Sequence, residues 1–344
     1  MNHVVNFSGG RTSAKLVLLI EEMRAQGKIT GNVEYVFADT GAEHPKTYEF
    51  IRQFVAYSGV NLTCLRAVIS KELGVGVSYR VVSLDSIGYD LTTWREILAA
   101  YSSPFNPGGA FCTDMLKSIP SDKYCNHKYG RGNYYKWIGY RADESKRAWG
   151  AKVYSKLLKS GMTEEDTRDL MSACMMCAES QMVLDAAFSL LDDAALAEAA
   201  AKRVSKLKAA GFRFMFEIDD SEKQDVLDFW KQMPFDLQIP EHLGNCVFCI
   251  KKGDNKIELA ARLEPQMAAE WGDIFHENTV RDLNRGFPPQ IIYRGKLSME
   301  AIRLFYQNVD TRHIEARMRH AKVDGVADSC SDSCSAFGKE IEEL

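Results

Sequence analysis

The sequence predicts an α/β fold: a Rossmann-like parallel sheet with helices on both faces, carrying a helical insert and a helical C-terminal region. Three observations predict it. Between Val4 and Val68, short apolar runs alternate with helical stretches at the spacing of β-α-β-α-β units. The first run enters the first helix through a glycine-bearing turn, Ser8-Gly9-Gly10-Arg11-Thr12-Ser13. From Ala151 to Gly211 the composition turns helical and Ala-rich.

Val4 to Phe7 read as a buried strand and Ala14 to Ile20 as the helix after the turn. A strand, a glycine-rich turn and a helix aim free backbone N–H groups and the positive end of the helix at one point, which suits phosphate oxygens. Gly9 and Gly10 let the backbone come close and are expected to take positive φ. The hydroxyls of Ser8, Thr12 and Ser13 add donors. An ordinary βα turn is the plainer alternative. Asn32 to Phe37 form a second strand, ending in Asp39-Thr40-Gly41. A helix follows from Lys46 to about Tyr57, and Asn61 to Val68 make a third strand. Ligands of such sheets sit beyond the carboxyl ends of strands. The Ser8 turn and the Asp39 loop should therefore face one crevice. A carboxylate at Asp39 suits Mg²⁺ or nucleotide hydroxyls; an Asx-turn is the competing reading.

Ser70 to Gly109 contains strand-like residues (Tyr79 to Leu84), a short helix (Thr92 to Tyr101) and a Pro- and Gly-bearing loop, read as a flexible cover near the crevice. Phe111-Cys112-Thr113-Asp114-Met115-Leu116-Lys117-Ser118-Ile119-Pro120 follows, with Lys117 either a phosphate or sulfate contact or an exposed helix lysine. Tyr134 to Gly139 form another strand and run into Tyr140-Arg141-Ala142-Asp143-Glu144-Ser145-Lys146-Arg147. Arginines just past a strand end suit bidentate phosphate contact, and a surface ion-pair cluster is the alternative.

The chain divides into residues 1–150, a nucleotide-binding core; 151–211, the helical insert; 212–255, the remainder of the core; and 256–344, a helical C-terminal region. The insert holds Cys174-Met175-Met176-Cys177, readable as core thiols, half a zinc site or a redox pair. Phe212 to Ile218 resume a strand, and Ser221 to Met233 form a helix. Gly244-Asn245-Cys246-Val247-Phe248-Cys249 reads as a metal knuckle. Arg281, Arg285, Arg294 and Lys296, then Arg312, His313, Arg317, Arg319, His320 and Lys322, suit a phosphate backbone or simply a solvated helix face. Cys330 and Cys334 close the chain in a polar tail.

Bulk properties narrow the classes. The 344 residues suffice for one large domain or two modest ones. Hydrophobic content of 46% and charged content of 26% are ordinary for a globular protein. A net charge of −4 gives no overall electrostatic footprint for nucleic acid, so any such surface must be a local patch. There is no apolar run of transmembrane length and no signal-peptide start, so the expected compartment is the cytoplasm and no membrane partner is expected. Nine cysteines there point to thiol, metal or redox work before disulfides.

Five strings, in order, carry a resemblance. Ser8-Gly9-Gly10-Arg11-Thr12-Ser13 resembles the PP-loop of the adenine nucleotide α-hydrolase superfamily, with Thr12 where the usual loop has Asp. Phe37 to Ile51, Cys112 to Pro120, Gly139 to Arg147 and the Cys246 knuckle are similar to stretches of its phosphoadenosine phosphosulfate (PAPS) reductase-like family, which commonly rides on phages, mobile elements and CRISPR systems. The resemblance implies that Ser8, Gly9, Gly10, Arg11, Thr12, Ser13, Asp39, Thr40, Gly41, Gly139, Arg141, Asp143 and Glu144 hold ATP, and that Asp39, Lys117, Arg141 and Arg147 act on its phosphates with Mg²⁺. It further implies that Cys112, Cys246 and Cys249 hold a three-cysteine [4Fe–4S] cluster or, alternatively, Zn²⁺. The expected activity is ATP pyrophosphatase chemistry: adenylation with release of pyrophosphate, coupled to sulfur transfer onto a nucleic acid or protein acceptor. The alternatives are a sulfonucleotide reductase, although the C-terminal Glu-Cys-Gly string of PAPS reductases is missing, and a non-catalytic nucleotide-binding accessory protein. An oligomer is compatible with all three.

Overall fold

The computed structural model describes residues 1–70, 72, 75–101, 105–106, 109–110, 112–277 and 297–323. Its centre is a six-stranded sheet in the order β4-β3-β2-β1-β7-β8. The strands are β1 (Asn2–Asn6), β2 (Val33–Asp39), β3 (Leu62–Ile69), β4 (Val77–Val82), β7 (Tyr134–Ile138) and β8 (Phe212–Phe214); β5 (Phe105–Asn106) and β6 (Gly109–Ala110) form a separate antiparallel pair. All neighbours in the sheet are parallel except β4, which is antiparallel to β3 at one edge. Val4, Val5 and Phe7 are fully buried, as expected of a central parallel strand covered on both faces.

Helices α1 (Arg11–Ala25), α2 (Pro45–Ser58), α3 (Thr92–Tyr101) and α4 (Ile119–Tyr129) belong to the first half of the chain. In α2, Thr47, Phe50, Ile51 and Phe54 recur at helical spacing and are all buried. Pro45 begins that helix, where its missing N–H costs nothing, and Gly59 ends it in the left-handed conformation at φ 68°. The apolar faces of α1 and α2 pack with Val5, Phe7, Tyr35 and Phe37 of the sheet, at about 1.5–3 kcal/mol for each large side chain fully buried.

Val4, Val36, Leu65, Cys125 and Tyr134 form a small cluster, and two larger cores lie beyond it. Helices α5 (Ser145–Trp149), α6 (Ala151–Lys159), α7 (Glu164–Met176), α8 (Ser180–Leu190) and α9 (Ala194–Ala209) pack together, α6 to α9 falling within residues 151–211. Their buried Leu157, Leu170, Met171, Val183 and Val204 pack with Ile138, Phe212 and Phe214 of the sheet edge. Beyond α10 (Lys223–Lys231) lie α11 (Asp254–Leu263), α12 (Pro265–Glu277), α13 (Met299–Tyr306) and α14 (Thr311–Val323). Trp271 of α12 meets Trp94 of α3 edge-on at 4.8 Å in the third core. No helix among the described residues is long and apolar enough to cross a membrane.

Two expectations need correction. The segment from Ser70 is not a loose cover where it is described: Trp94, Ile97 and Leu98 are at most 1% exposed and bind it into the third core. The strand expected over Phe212 to Ile218 stops at Phe214, because Glu217 folds back to accept the Phe214 N–H at 2.6 Å and makes a helical turn instead. Phe111, Arg281, Arg285, Arg294, Lys296, Cys330 and Cys334 lie outside the described residues.

Candidate functional site

The strand order places the site. Chain direction turns outward on both sides of β1: β2 lies on one side and β7 on the other. That is a topological switch point, where loops leaving adjacent strands part and open a crevice. The loop after β1 is Phe7 to Gly10; the loop after β7 begins at Gly139. They meet closely, since a Cβ on Gly139 would stand 3.3 Å from the Ser13 Cα.

The glycine loop is held by its own hydroxyls. Ser13 Oγ accepts the Ser8 N–H at 3.0 Å, lies 2.9 Å from Ser8 Oγ, and donates to the Gly10 carbonyl. Gly9 takes φ +78°, and a Cβ there would come within 2.9 Å of Ile51. Gly10, also expected to need positive φ, stays at −102° and starts α1 without a side-chain cap. The first-turn amides of α1 are thus not consumed by a capping side chain. Ser13 is buried and spent on the loop itself, so it is a positioning residue.

Over this loop lies a cavity of about 300 Å³. Ser8, Gly9, Gly10, Arg11 and Thr12 line one wall, joined by Glu43, Thr47 and Arg141. Arg141 is 4% exposed and is gripped by Asp143, with Nε to Oδ1 at 2.8 Å and Nη2 to Oδ2 at 3.2 Å. Its Nη1 lies 3.4 Å from Thr12 Oγ1 and 3.4 Å from Glu144. Thr12 therefore spares the loop a carboxylate beside that guanidinium. Arg147 instead pairs with Glu144 at 3.0 Å and stacks over the Tyr140 ring at 4.1 Å. Asp143 and Glu144 orient arginines; neither they nor Arg147 line the cavity.

The opposite wall was not anticipated. It consists of Lys223, Val226, Leu227, Leu237, Ile239, Pro240, Glu241, Gly244, Asn245, Lys252 and Lys256. Lys252 is 3% exposed and donates to the carbonyls of His242 and Val247 at 2.8 and 2.9 Å. Glu241 bridges Lys223 at 3.1 Å and Lys256 at 3.4 Å. Counting both walls, five cationic side chains and two carboxylates face the space. That balance, with an apolar strip from Val226 to Pro240, suits a flat apolar group carrying an anionic chain. Arg11 ties the walls together: it binds Asp236 through Nε at 2.6 Å and Nη2 at 3.0 Å, and the Leu237 carbonyl.

Several predicted residues lie beneath the cavity. Asp39 is fully buried and does not line it. Its Oδ1 accepts the Gly41 N–H at 2.9 Å and the Tyr48 hydroxyl at 3.0 Å, while Oδ2 is paired with Arg66. Burial and the nearby Glu43 charge raise its pKa, against the pull of Arg66. The Gly41 bond is the Asx-turn of the competing reading, and in this structure the lone pairs of Asp39 are engaged by Gly41, Tyr48 and Arg66 as an internal anchor. Thr40 donates to Glu43 at 2.7 Å. Gly41, at φ +72°, accepts the Asp90 N–H, and a Cβ there would strike the Asp90 carbonyl at 2.0 Å. Lys117 is 6% exposed, contrary to the exposed alternative, and lies 3.5 Å from Glu43. It sits on a wide turn, Asp114–Ser118, closed by an Ile119 N–H to Asp114 carbonyl bond, a bulge found often at functional sites.

Cys246 adjoins this group: its Sγ is 3.6 Å from Thr40 Oγ1 and 4.0 Å from Glu43 Oε1. The knuckle is stitched to the Glu43 loop by an antiparallel bridge and by the Val247 N–H to Ala42 carbonyl bond at 2.9 Å. Asn245 is the one non-glycine residue with positive φ among the described residues, at 55°. Cys112, Cys246 and Cys249 share one core, each 7% exposed. Among the described residues, no group of three or more His, Cys, Asp or Glu side chains is arranged to hold a metal ion.

The phosphoadenosine phosphosulfate reductase domain family matches residues 2–77. Over 345 aligned residues the chain is 38% identical to a protein of Escherichia phage lambda named "Uncharacterized nin region protein ORF290", covering 99% of this chain and 97% of that protein. No solved structure matches the chain.

Proposed function

Because this chain belongs to the phosphoadenosine phosphosulfate reductase domain family and has the phage lambda nin-region protein as a full-length relative, we propose that its cavity binds ATP and cleaves it between the α and β phosphates. One observation carries the proposal: the glycine loop and Arg141 share a wall of a single cavity whose other wall supplies three more cations. The phosphate chain lies on the loop amides and the start of α1. Arg141, already fixed by Asp143, stabilises charge that develops at the α-phosphate. The apolar strip from Val226 to Pro240 receives the base. Glu43, the carboxylate on the loop side, would share a Mg²⁺ with phosphate oxygens, where the ion would neutralise charge.

Sulfur transfer to a nucleic acid or protein acceptor is the finer reading. Cys112, Cys246 and Cys249 have the donor chemistry of an iron–sulfur cluster and are grouped in one core that reaches the cavity through Glu43. A sulfonucleotide reductase is the second reading. Cys246, one contact from the cavity, favours it.

Incubation with ATP and Mg²⁺, followed by separation of nucleotides, tests the first proposal. AMP and pyrophosphate are expected; ADP with phosphate, or no turnover, overturns it. Sulfite release from PAPS with a thiol donor would move the assignment to the reductase. Anaerobic protein is expected to contain iron that Cys246→Ser and Cys249→Ser variants lose; unchanged metal content would leave the knuckle as packed thiols.

A further inference from the structure

We infer that the Thr47 hydroxyl is a ligand contact, a donor kept for an anionic oxygen of the bound phosphate chain. This rests on the nucleotide reading above and adds a side chain from a second helix to the loop and arginine.

Thr47 lies in the first turn of α2. Its backbone N–H is already satisfied by the His44 carbonyl at 2.8 Å. The residue is 4% exposed, and its Oγ1 has no hydrogen-bond partner among the described residues. A threonine in a helix ordinarily returns that bond to a carbonyl three or four residues back. Thr47 does not. Other polar side chains of the same loop and helix are committed elsewhere: Thr40 to Glu43, and Tyr48 to Asp39 and Glu43.

The hydroxyl is nevertheless well placed. Thr47 lines the cavity with Gly9 and Gly10, and its methyl would stand 3.2 Å from a Cβ built on Gly9. The methyl thus packs on the glycine, and the oxygen of the same side chain stays buried and unpaired among the described residues. A buried donor left unmade is destabilising to the empty protein, and a ligand oxygen removes that penalty. The start of α2 adds its positive end at the same place. A phosphate oxygen answers both features; a neutral apolar group answers neither.

Thr47→Val keeps the shape and methyl packing but removes the donor. Its melting temperature is expected to equal or exceed that of the wild type. Its ATP affinity, measured by calorimetry with Mg²⁺, is expected to fall about tenfold, equal to ~1.4 kcal/mol. Thr47→Ser should stay within about twofold of wild type, since the donor is retained. Wild-type affinity in Thr47→Val overturns the inference, and so does a lowered melting temperature, which would mean that the hydroxyl serves the fold. If wild type and Thr47→Val alike bind no adenosine phosphate, the nucleotide reading fails and this contact fails with it. If both bind equally well, only the Thr47 assignment falls.

Discussion

The two walls of the cavity are built on opposite plans. The glycine-loop wall is dense in backbone geometry: a positive-φ glycine, a hydroxyl-locked turn and an arginine gripped by its neighbouring carboxylate, all within short stretches of chain. The facing wall is dispersed. Its lysines come from the start of α10, the segment after the knuckle and the start of α11, and two of them share a single carboxylate, Glu241. The difference teaches a division of labour. A locked wall fixes direction and suits a reacting group; a wall of long, shared cations supplies attraction and suits binding.

Substitutions can break or sharpen that contrast. The largest effect is expected beneath the first wall. Asp39→Ala removes the main partner of the buried Arg66, leaving it only Asp90 at 3.5 Å and the Ser86 carbonyl at 3.3 Å, and should cost about 3 kcal/mol of stability by denaturant titration. A loss of turnover without loss of stability would make Asp39 a functional ligand. Next, Arg141→Ala should lower AMP and pyrophosphate formation by about 10²–10³-fold, with the protein still folded; full activity would remove the phosphate clamp. Arg11→Ala, which unties the walls, should raise KM about tenfold with little change in kcat, because positioning rather than chemistry is lost. Smallest is Lys223→Gln, expected to weaken ATP binding about two- to fivefold, an effect that shrinks in salt because this ammonium is partly exposed. A kcat effect as large as that of Arg141 would erase the distinction between the walls.

The same contrast explains what the sequence could reveal. The glycine loop, Gly139 and Arg141 were legible because each sits in a compact string whose spacing is itself the geometry. The pairing of Asp39 was not legible because its partner is remote: Arg66 stands beside it only through the β2–β3 register, 27 residues on. Lys223, Lys252 and Lys256 were missed because a lysine at a helix start or after a turn carries no signal of its own. Glu43 and Thr47 stood inside a recognised string, yet only packing shows that they face the cavity. The two Cys-x-x-Cys pairs make the point within one motif. Cys174 is buried in the insert with its thiol pushed up to about 11 by burial, while Lys208 closes the helix end by donating to the carbonyls of Met175 and Cys177. Cys246 abuts the cavity's carboxylate. Spacing alone could not separate them.

The salt bridge from Arg11 to Asp236 spans 225 positions of sequence. At roughly 5–20 residues per second of synthesis, the opening bend waits about 10–45 s for its counterpart to leave the ribosome. Until then the nascent polypeptide displays the signature of a nucleotide binder with half its enclosure missing. A fragment confined to residues 2–77 would share that fate, since none of the far lysines falls within it.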